Sequence, residues 1–323
     1  MILLFLVLVT LVAIFLLATA PIKHKPSDNY IVTVLASSKS TVDNSVLTSF
    51  YLRYPRFIHS EMMTHKDFSR SASSSRAIPV KKVLSQVWNN PAMPIQWGTN
   101  KPGMQAGVDL YGWKETLAYN IWINAGRLVC VFVWLLVKLN VHKQLANRLL
   151  EPWQFMHVTL TSVNWNNFFN LRIHPDAQPE IYFLASMMYQ KLVESTPMEL
   201  DPDEYHLPWI KHSDYKNVVE FLYRLNDREP INTEISALLL KISAARCARS
   251  SYANFTGLAS IDKDLETFDK LVKSKPVHAS PCEHQATPDE RTETGSYKNQ
   301  DKHGNLPGWV QHRHTIPDHY LKG

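Results

Sequence analysis

The chain has 323 residues and a formal net charge of only +5, from 34 basic against 29 acidic side chains, which is too mild to favour a nucleic-acid polymer as partner. Hydrophobic residues make up 45% of it, so one large domain or two small ones can form a core. Its three cysteines, Cys130, Cys247 and Cys282, form no CxxC pair. Neither a disulfide framework nor a metal site is therefore indicated, and we expect a reducing compartment.

The chain begins with an uncharged apolar run, Met1–Ala20, which is long enough to span a bilayer. The run lacks the basic start of a secretory signal, although its last three residues resemble a cleavage site. Lys23 and Lys25 follow it and would leave the globular part on the cytoplasmic side. A membrane anchor and a start codon assigned too far upstream both remain open. We expect a cytoplasmic protein, tethered to a membrane only if this run is a true anchor.

Three segments rich in β-branched and aromatic residues, 30–35, 46–54 and 156–163, predict strands. Between the second and third strands, the pattern predicts two helices from 113 to 150, broken near Gly126. The run LVCVFVWLLV in the second helix is too short for a membrane span and predicts a buried core helix. Further predictions are a helix capped by Asp176, helices at 234–250 and 261–274, and a polar, loosely ordered end apart from NLPGWVQHR at 305–313.

The segment 55–79 is unusual because it combines a helical pattern with a serine-rich loop. Ile58, Met62, His65 and Ser69 fall on one helical face, which would turn His65 inward. The loop SASSSR follows and ends in Arg76. Hydroxyls, free backbone N–H groups and an arginine fork are suited to binding phosphate. The alternative is a core helix with a satisfied histidine, followed by a flexible linker.

Four arginines lie beside hydroxyl or amide side chains in separate parts of the chain. Converging arginines and a serine loop suit a nucleotide, whose phosphate needs bidentate charge. The alternative for each arginine is a surface or inter-helix salt bridge. The sequence contains no GxGxxG, Walker or GxSxG motif, which argues against Rossmann, P-loop and serine-hydrolase chemistry. The four are Arg76, Arg148, Arg172 and Arg249.

Several motifs together resemble the flavin-dependent thymidylate synthases. The family signature RHRxxSxNExSxRY is similar to THKDFSRSASSSRA at 64–77, and its ARxxLP segment to ANRLLEP at 146–152. The most specific match is NFFNLR at 167–172, followed by AQPEI at 177–181.

The remaining motifs, which normally come first in the family, come last here. An AARxSY-like segment ends at Tyr252, and HASPCEH at 278–284 resembles HxSPFEH. The order therefore resembles a circular permutation, which is tolerated when termini lie close together at a surface. The resemblance implies an α+β fold with a mixed sheet and long packed helices. It also implies three regions: an apolar segment and linker at 1–29, a catalytic domain at 30–288 and a polar tail at 289–323.

The resemblance implies transfer of a one-carbon unit from methylenetetrahydrofolate to C5 of dUMP, with FAD reduced by NADPH, in a homotetramer whose sites lie between subunits. Arg172 and Ser74 would be catalytic. The fixed positive charge of Arg172 at the pyrimidine would favour an anionic base. The residues expected at dUMP are Glu61, Ser69, Ser74, Ser75, Arg76, Arg148 and Arg172. Those expected at FAD are His65, Lys66, Asn167, Ser251, His278, Ser280 and Glu283.

The sequence departs from the signature at several positions. Thr64 and Lys66 stand where the family has arginines, Glu61 stands in place of a glutamine, and Cys282 in place of a phenylalanine. Two alternatives use the same frame. One is a hydroxymethylase acting on dUMP or dCMP, and the other is a non-catalytic nucleotide- or flavin-binding relative.

Overall fold

A five-stranded mixed sheet forms the centre of the computed structural model, which describes residues 25–252 and 260–320. The apolar run at the start of the chain lies outside these residues. The strand order is β3-β4-β2-β1-β5; the first three pairings are antiparallel and β5 runs parallel to β1. The predicted mixed sheet and α+β class are confirmed. The strands are β1 (Ile31–Ser40), β2 (Val46–Pro55), β3 (Ser69–Ala72), β4 (Phe155–Ser162) and β5 (Met198–Leu200).

Nine α-helices accompany the sheet in the described part of the chain. The longest is α3, and the described residues also contain short 3-10 helices, which are named where they bear on the site. The α-helices are α1 (His59–Met63), α2 (Val80–Asn89), α3 (Trp113–Lys138), α4 (Lys143–Ala146), α5 (Asn166–Arg172), α6 (Pro179–Glu194), α7 (His212–Asn226), α8 (Asn232–Ala248) and α9 (Ile261–Val272).

The main core lies between the sheet and α6, where Ile181, Leu184 and Met188 are fully buried as predicted. The helix begins at Pro179 rather than under an Asp176 cap, so the predicted start is wrong. Proline has a fixed φ suited to the first helical position and needs no N–H partner there, so it sets the start.

The predicted break at Gly126 is wrong, because α3 is one continuous helix of 26 residues. A Cβ at Gly126 would lie 3.0 Å from the indole ring of Trp153, so the glycine permits close packing rather than ending the helix. The prediction of a buried core helix is also wrong. Leu128, Phe132 and Leu135 each expose 45–50% of their surface.

The segment 58–77 differs from the predicted helix and loop. Helix α1 ends at Met63, and His65 lies in the turn that follows. Ser69–Ala72 is not part of a loop but forms β3, paired with β4. Serine has a weak strand preference, which hides the alternation of buried Ser69 and Ser71 with the partly exposed residues between them.

The end of the chain is more ordered than predicted. Two short strands, β6 (Ala286–Pro288) and β7 (Trp309–Gln311), pair antiparallel and bury Trp309 completely. Outside the 305–313 run, Asp289 is also buried and lies 2.8 Å from Nε2 of His303. Polar groups here satisfy one another in the interior, so composition alone underestimates the order.

Candidate functional site

Arg172, the last residue of α5, is held by three groups from one short segment. Its Nε donates to Nε2 of His65 at 3.1 Å, its Nη1 to Oε2 of Glu61 at 3.2 Å, and its Nη2 to Oγ1 of Thr64 at 3.2 Å. A guanidinium carries five N–H donors. Two of them are without an acceptor among residues 25–252 and 260–320, and they can bind a carbonyl or an anion from a ligand.

A cavity of about 300 Å³ opens beside this guanidinium. Two motifs that lie about a hundred residues apart form its walls, one before β3 and the other along α5. His65 packs edge-on against Phe168 at 5.0 Å and stacks on Phe68, so its ring is held in one orientation. Four predicted site residues therefore line one cavity. The lining consists of Thr64, His65, Lys66, Asp67, Phe68, Asn164, Asn167, Phe168, Leu171 and Arg172.

His65 is neutral in this setting. Burial, the Arg172 charge and the Arg70 charge all lower the pKa of its imidazole. Because Nε2 accepts from Arg172, the ring proton is on Nδ1. Burial raises the pKa of the Glu61 carboxyl, with Arg172 opposing that rise and Glu180 adding to it. While ionised, Glu61 partly offsets the charge that Arg172 presents to the cavity.

A second polar cluster centres on Glu151, in the 3-10 helix Asn147–Trp153. Its Oε1 accepts from Oγ of Ser75 at 2.6 Å and from Nη1 of Arg148 at 3.0 Å, and lies 2.9 Å from Nη2 of Arg56. The structure thus brings Ser75 and Arg148 together, as expected of two residues at one ligand. Two arginines and a hydroxyl are an anion-binding set. In this structure the anion that these three groups bind is the carboxylate of Glu151.

The serines of the signature segment have different surroundings. Ser69 is buried and donates to Oδ1 of Asn305 while accepting from Nε2 of Gln311, so its hydroxyl joins β3 to the end of the chain. Ser74 is half-buried, and its backbone N–H donates to the carbonyl of Ser251 at 3.0 Å. Arg76 is exposed.

The displaced C-terminal motifs return to the edge of the sheet that carries the signature. His284 bridges two strands, with Nε2 at 2.9 Å from Oγ of Ser71 on β3 and Nδ1 at 2.9 Å from Oγ1 of Thr161 on β4. Ser250 Oγ lies 2.8 Å from Oγ1 of Thr159 on the same strand β4. Segments that are far apart in the chain are therefore neighbours in the fold.

The predicted flavin residues of these motifs differ in exposure and in their partners. Ser280 opens the 3-10 helix Ser280–Glu283 and is exposed, as is His278. Glu283 is ion-paired with Arg313. None of these residues lines the cavity beside Arg172. The signature residues that line that cavity precede β3 in the chain, whereas Ser74, which bonds Ser251, follows β3.

Sequence reasoning missed three charged residues at these clusters. Arg56 follows a proline in the segment before α1, and its position beside the signature was the one available signal. Glu151 lies inside the ANRLLEP segment, in which Arg148 alone was predicted to bind the nucleotide. Arg313 lies beyond all the motifs, so nothing in the pattern pointed to it. No group of three or more His, Cys, Asp and Glu side chains arranged to hold a metal occurs in the part of the chain that the structure describes.

No protein-family model matches this chain, and no curated protein does. Among solved structures, it is similar to a UMP/dUMP methylase, PolB from Streptomyces cacaoi bound with 5-Br UMP. The identity is 16%, over 51% of this chain and 89% of that one, with a TM-score of 0.41. It is also similar to thymidylate synthase X (ThyX) from Helicobacter pylori with FAD and dUMP, at 16% identity over 45% of this chain and 67% of that one, with a TM-score of 0.32.

Proposed function

We propose that this protein is a flavin-dependent thymidylate synthase that transfers a one-carbon unit from methylenetetrahydrofolate to C5 of dUMP, with NADPH as reductant. The observation that carries the proposal is the placement of Arg172 against His65 and Thr64, which joins two family-like motifs at one cavity. The two motifs lie about a hundred residues apart in the sequence, and the fold makes them neighbours.

Arg172 is the residue proposed to act on the pyrimidine. Its two remaining N–H groups suit the carbonyl oxygen of a uracil ring, on which negative charge accumulates when C5 becomes nucleophilic. A donor held in place before the reaction stabilises such charge without reorganisation. His65, Glu61 and Thr64 hold the guanidinium, so this segment positions the charge.

The walls of the cavity fit a flavin ring in their chemistry. An amide from Asn167, a cation from Lys66 and the neutral imidazole of His65 surround an apolar floor that includes Phe168. When FAD is bound, its reduced ring supplies the hydride, and the protein supplies position and field. About 300 Å³ is at the small end of ligand cavities and admits one ring system, so the flavin ring would fill it and leave the uracil ring at its mouth, beside Arg172. Ser251, Ser280 and Glu283 do not line this cavity, so in the proposed homo-oligomer they would hold the rest of FAD from another subunit.

The phosphate of dUMP is proposed to bind at the Glu151 cluster and the loop beside it. Arg148, Arg76, Ser74 and Ser75 would supply its donors. Glu151 now occupies the donors of Ser75 and Arg148, so a phosphate would have to displace this carboxylate or bind beside it.

A direct test is to purify the protein, record its absorption and assay it with labelled dUMP and dCMP. Flavin bands in the spectrum and labelled dTMP from dUMP, dependent on methylenetetrahydrofolate and NADPH, would support the proposal. Hydroxymethyl products, resolved by mass, would replace it with a hydroxymethylase. A colourless protein that does not acquire flavin would exclude both enzymes.

The displaced segment is tested by Ser280→Ala together with Glu283→Ala. Loss of flavin would support its place in the site, provided that Arg313→Ala, which breaks the same ion pair from the other side, retains the flavin. Retained flavin in the double variant would remove this segment from the site.

A further inference from the structure

Helix α3 carries an exposed apolar stripe that nothing in the described part of the chain covers. The spacing of three, four and seven residues places the side chains of this stripe on one face of the helix, in a first group at its beginning and a second from Leu128 onward. The residues of the stripe are Leu117, Ile121, Leu128, Phe132 and Leu135, each 45–50% exposed, and Leu139 directly after the helix is 74% exposed. The helix is long and apolar enough, by length and composition, to cross a membrane, yet its other face packs on α2 and on the 3-10 helix after α4.

The two ends of α3 differ in chemistry from its middle. Lys114 lies over the ring of Trp113 at 5.8 Å, and Lys138 lies over the ring of Trp134 at 5.3 Å. Between residues 116 and 137 the only charged side chain is Arg127, which is buried and donates to the carbonyl of Trp88 at 3.3 Å. Tryptophan and lysine at both ends of an apolar stripe suit the boundary between lipid tails and headgroups.

An apolar groove of about 450 Å³ widens this surface between α2 and α3. Leu84, Trp88, Val131 and Trp134 line it, with Lys81 also at its wall. Its size and apolar walls would admit part of an acyl chain, and a lysine nearby suits an anionic headgroup.

The beginning of the chain comes close to the same helix. Asn29 accepts a 2.6 Å hydrogen bond from Asn90 at the end of α2, and the carbonyl of Ala92 accepts from Nε1 of Trp122 on α3 at 2.8 Å. The five residues from Ala20 to Lys25 span at most about 17 Å. The uncharged run Met1–Ala20 is therefore separated in sequence by only a few residues from Lys25, where the described part of the chain begins.

We infer that the exposed face of α3 lies on a lipid bilayer. Both the exposed face of α3 and the uncharged sequence Met1–Ala20, which is long enough to span a bilayer, are apolar and favour lipid over water. A bilayer covers both surfaces at once. A helix with one apolar face and lysines at its ends lies in the interface with that face among the acyl chains.

Tryptophan fluorescence provides a selective test, because Met1–Ala20 contains no tryptophan and quenching therefore reports on the rest of the chain alone. The full chain is reconstituted into phosphatidylcholine vesicles, with or without bromine atoms on the acyl chains. We expect quenching by the brominated lipid, and most of it should disappear in Trp113→Phe/Trp134→Phe. The matched control Trp209→Phe should keep it.

A second pair of variants separates α3 from the N-terminal run. Leu128→Glu/Phe132→Glu should lose the quenching while the protein stays on the vesicles through Met1–Ala20, and Leu225→Glu, also at an exposed leucine, should behave as the parent. Equal fluorescence in both lipids would overturn the inference. So would a full chain that stays off vesicles, or a detergent-solubilised oligomer that Leu128→Glu/Phe132→Glu dissociates, which would assign this face to a second copy.

Discussion

Arg172 donates from Nε to Nε2 of His65, 107 positions earlier in the chain. The contact fixes three properties of the site: the imidazole tautomer, its neutral state and the direction of the guanidinium. It forms because α5 ends at Arg172, directly beside the turn that follows α1. A chain with the same motifs in another arrangement would not place these two side chains together.

Arg172→Lys should lower kcat/KM for dUMP by about 100-fold or more, because lysine keeps the charge but cannot make the fixed fork of hydrogen bonds. Turnover of labelled dUMP and calorimetric binding of dUMP both measure this. Arg224→Lys on α7, which is far from the cavity lining, is the matched control. Equal turnover in Arg172→Lys and the parent would remove this residue from the chemistry.

Glu151→Gln should tighten dUMP binding by about tenfold, which corresponds to ~1.4 kcal/mol. The substitution removes the carboxylate that occupies Ser75, Arg148 and Arg56, while its amide oxygen can still accept one hydrogen bond. Titration calorimetry with dUMP and with deoxyuridine separates the phosphate contribution, since deoxyuridine should bind equally to both proteins. Glu194→Gln, in an exposed ion pair with Lys191, is the control. Weaker dUMP binding in Glu151→Gln would mean that this cluster is structural.

The free energy of unfolding should fall as the pH drops below about 6.5, the pKa of an unfolded histidine. Burial lowers the pKa of His206 and of His284 to about 3, with the His284 charge also acting on His206. Below pH 6.5 the unfolded state therefore binds the extra protons, and each histidine contributes a slope of about 1.4 kcal/mol per pH unit until its folded pKa is reached.

Urea unfolding between pH 7.5 and pH 5 measures that slope. His284→Gln should reduce it by roughly the contribution of one proton, about 1.4 kcal/mol per pH unit, whatever the variant does to stability at neutral pH. An unchanged slope in His284→Gln would contradict a neutral, buried imidazole bridging Ser71 and Thr161.

Gly126→Ala should destabilise the protein by about 1–3 kcal/mol, although alanine is the better helix former by about 1 kcal/mol. The new methyl group would press against the Trp153 ring, 3.0 Å from its nearest atoms. Thermal or urea unfolding measures the change, and its sign is diagnostic. In a Trp153→Leu background, Gly126→Ala should lower the free energy of unfolding by less than it does in the parent. A more stable Gly126→Ala protein would show that the contact is not tight.

The pattern of the sequence determined much of the architecture. Alternating β-branched residues marked β1, β2 and β4, and helical periodicity marked α6, α8 and α9, because burial of one face leaves a local signature. The sequence pattern predicted the wrong structure where tertiary packing outweighs the local preference of the residues. Two of the four residues of β3 are serines, which hides the strand, and Gly126 resembles a helix break although it only admits the Trp153 ring.

The sequence by itself also determined the identity of the candidate residues, since Arg172, His65 and Asn167 stand in motifs that can be matched one at a time. Only the tertiary structure decided which of them meet. It brought His65 to Arg172 and Ser75 to Arg148, and it placed Glu151 among the predicted phosphate donors. The physical reason is that contacts between distant segments depend on how strands pair and helices pack, and no local pattern records where a side chain's partner will lie.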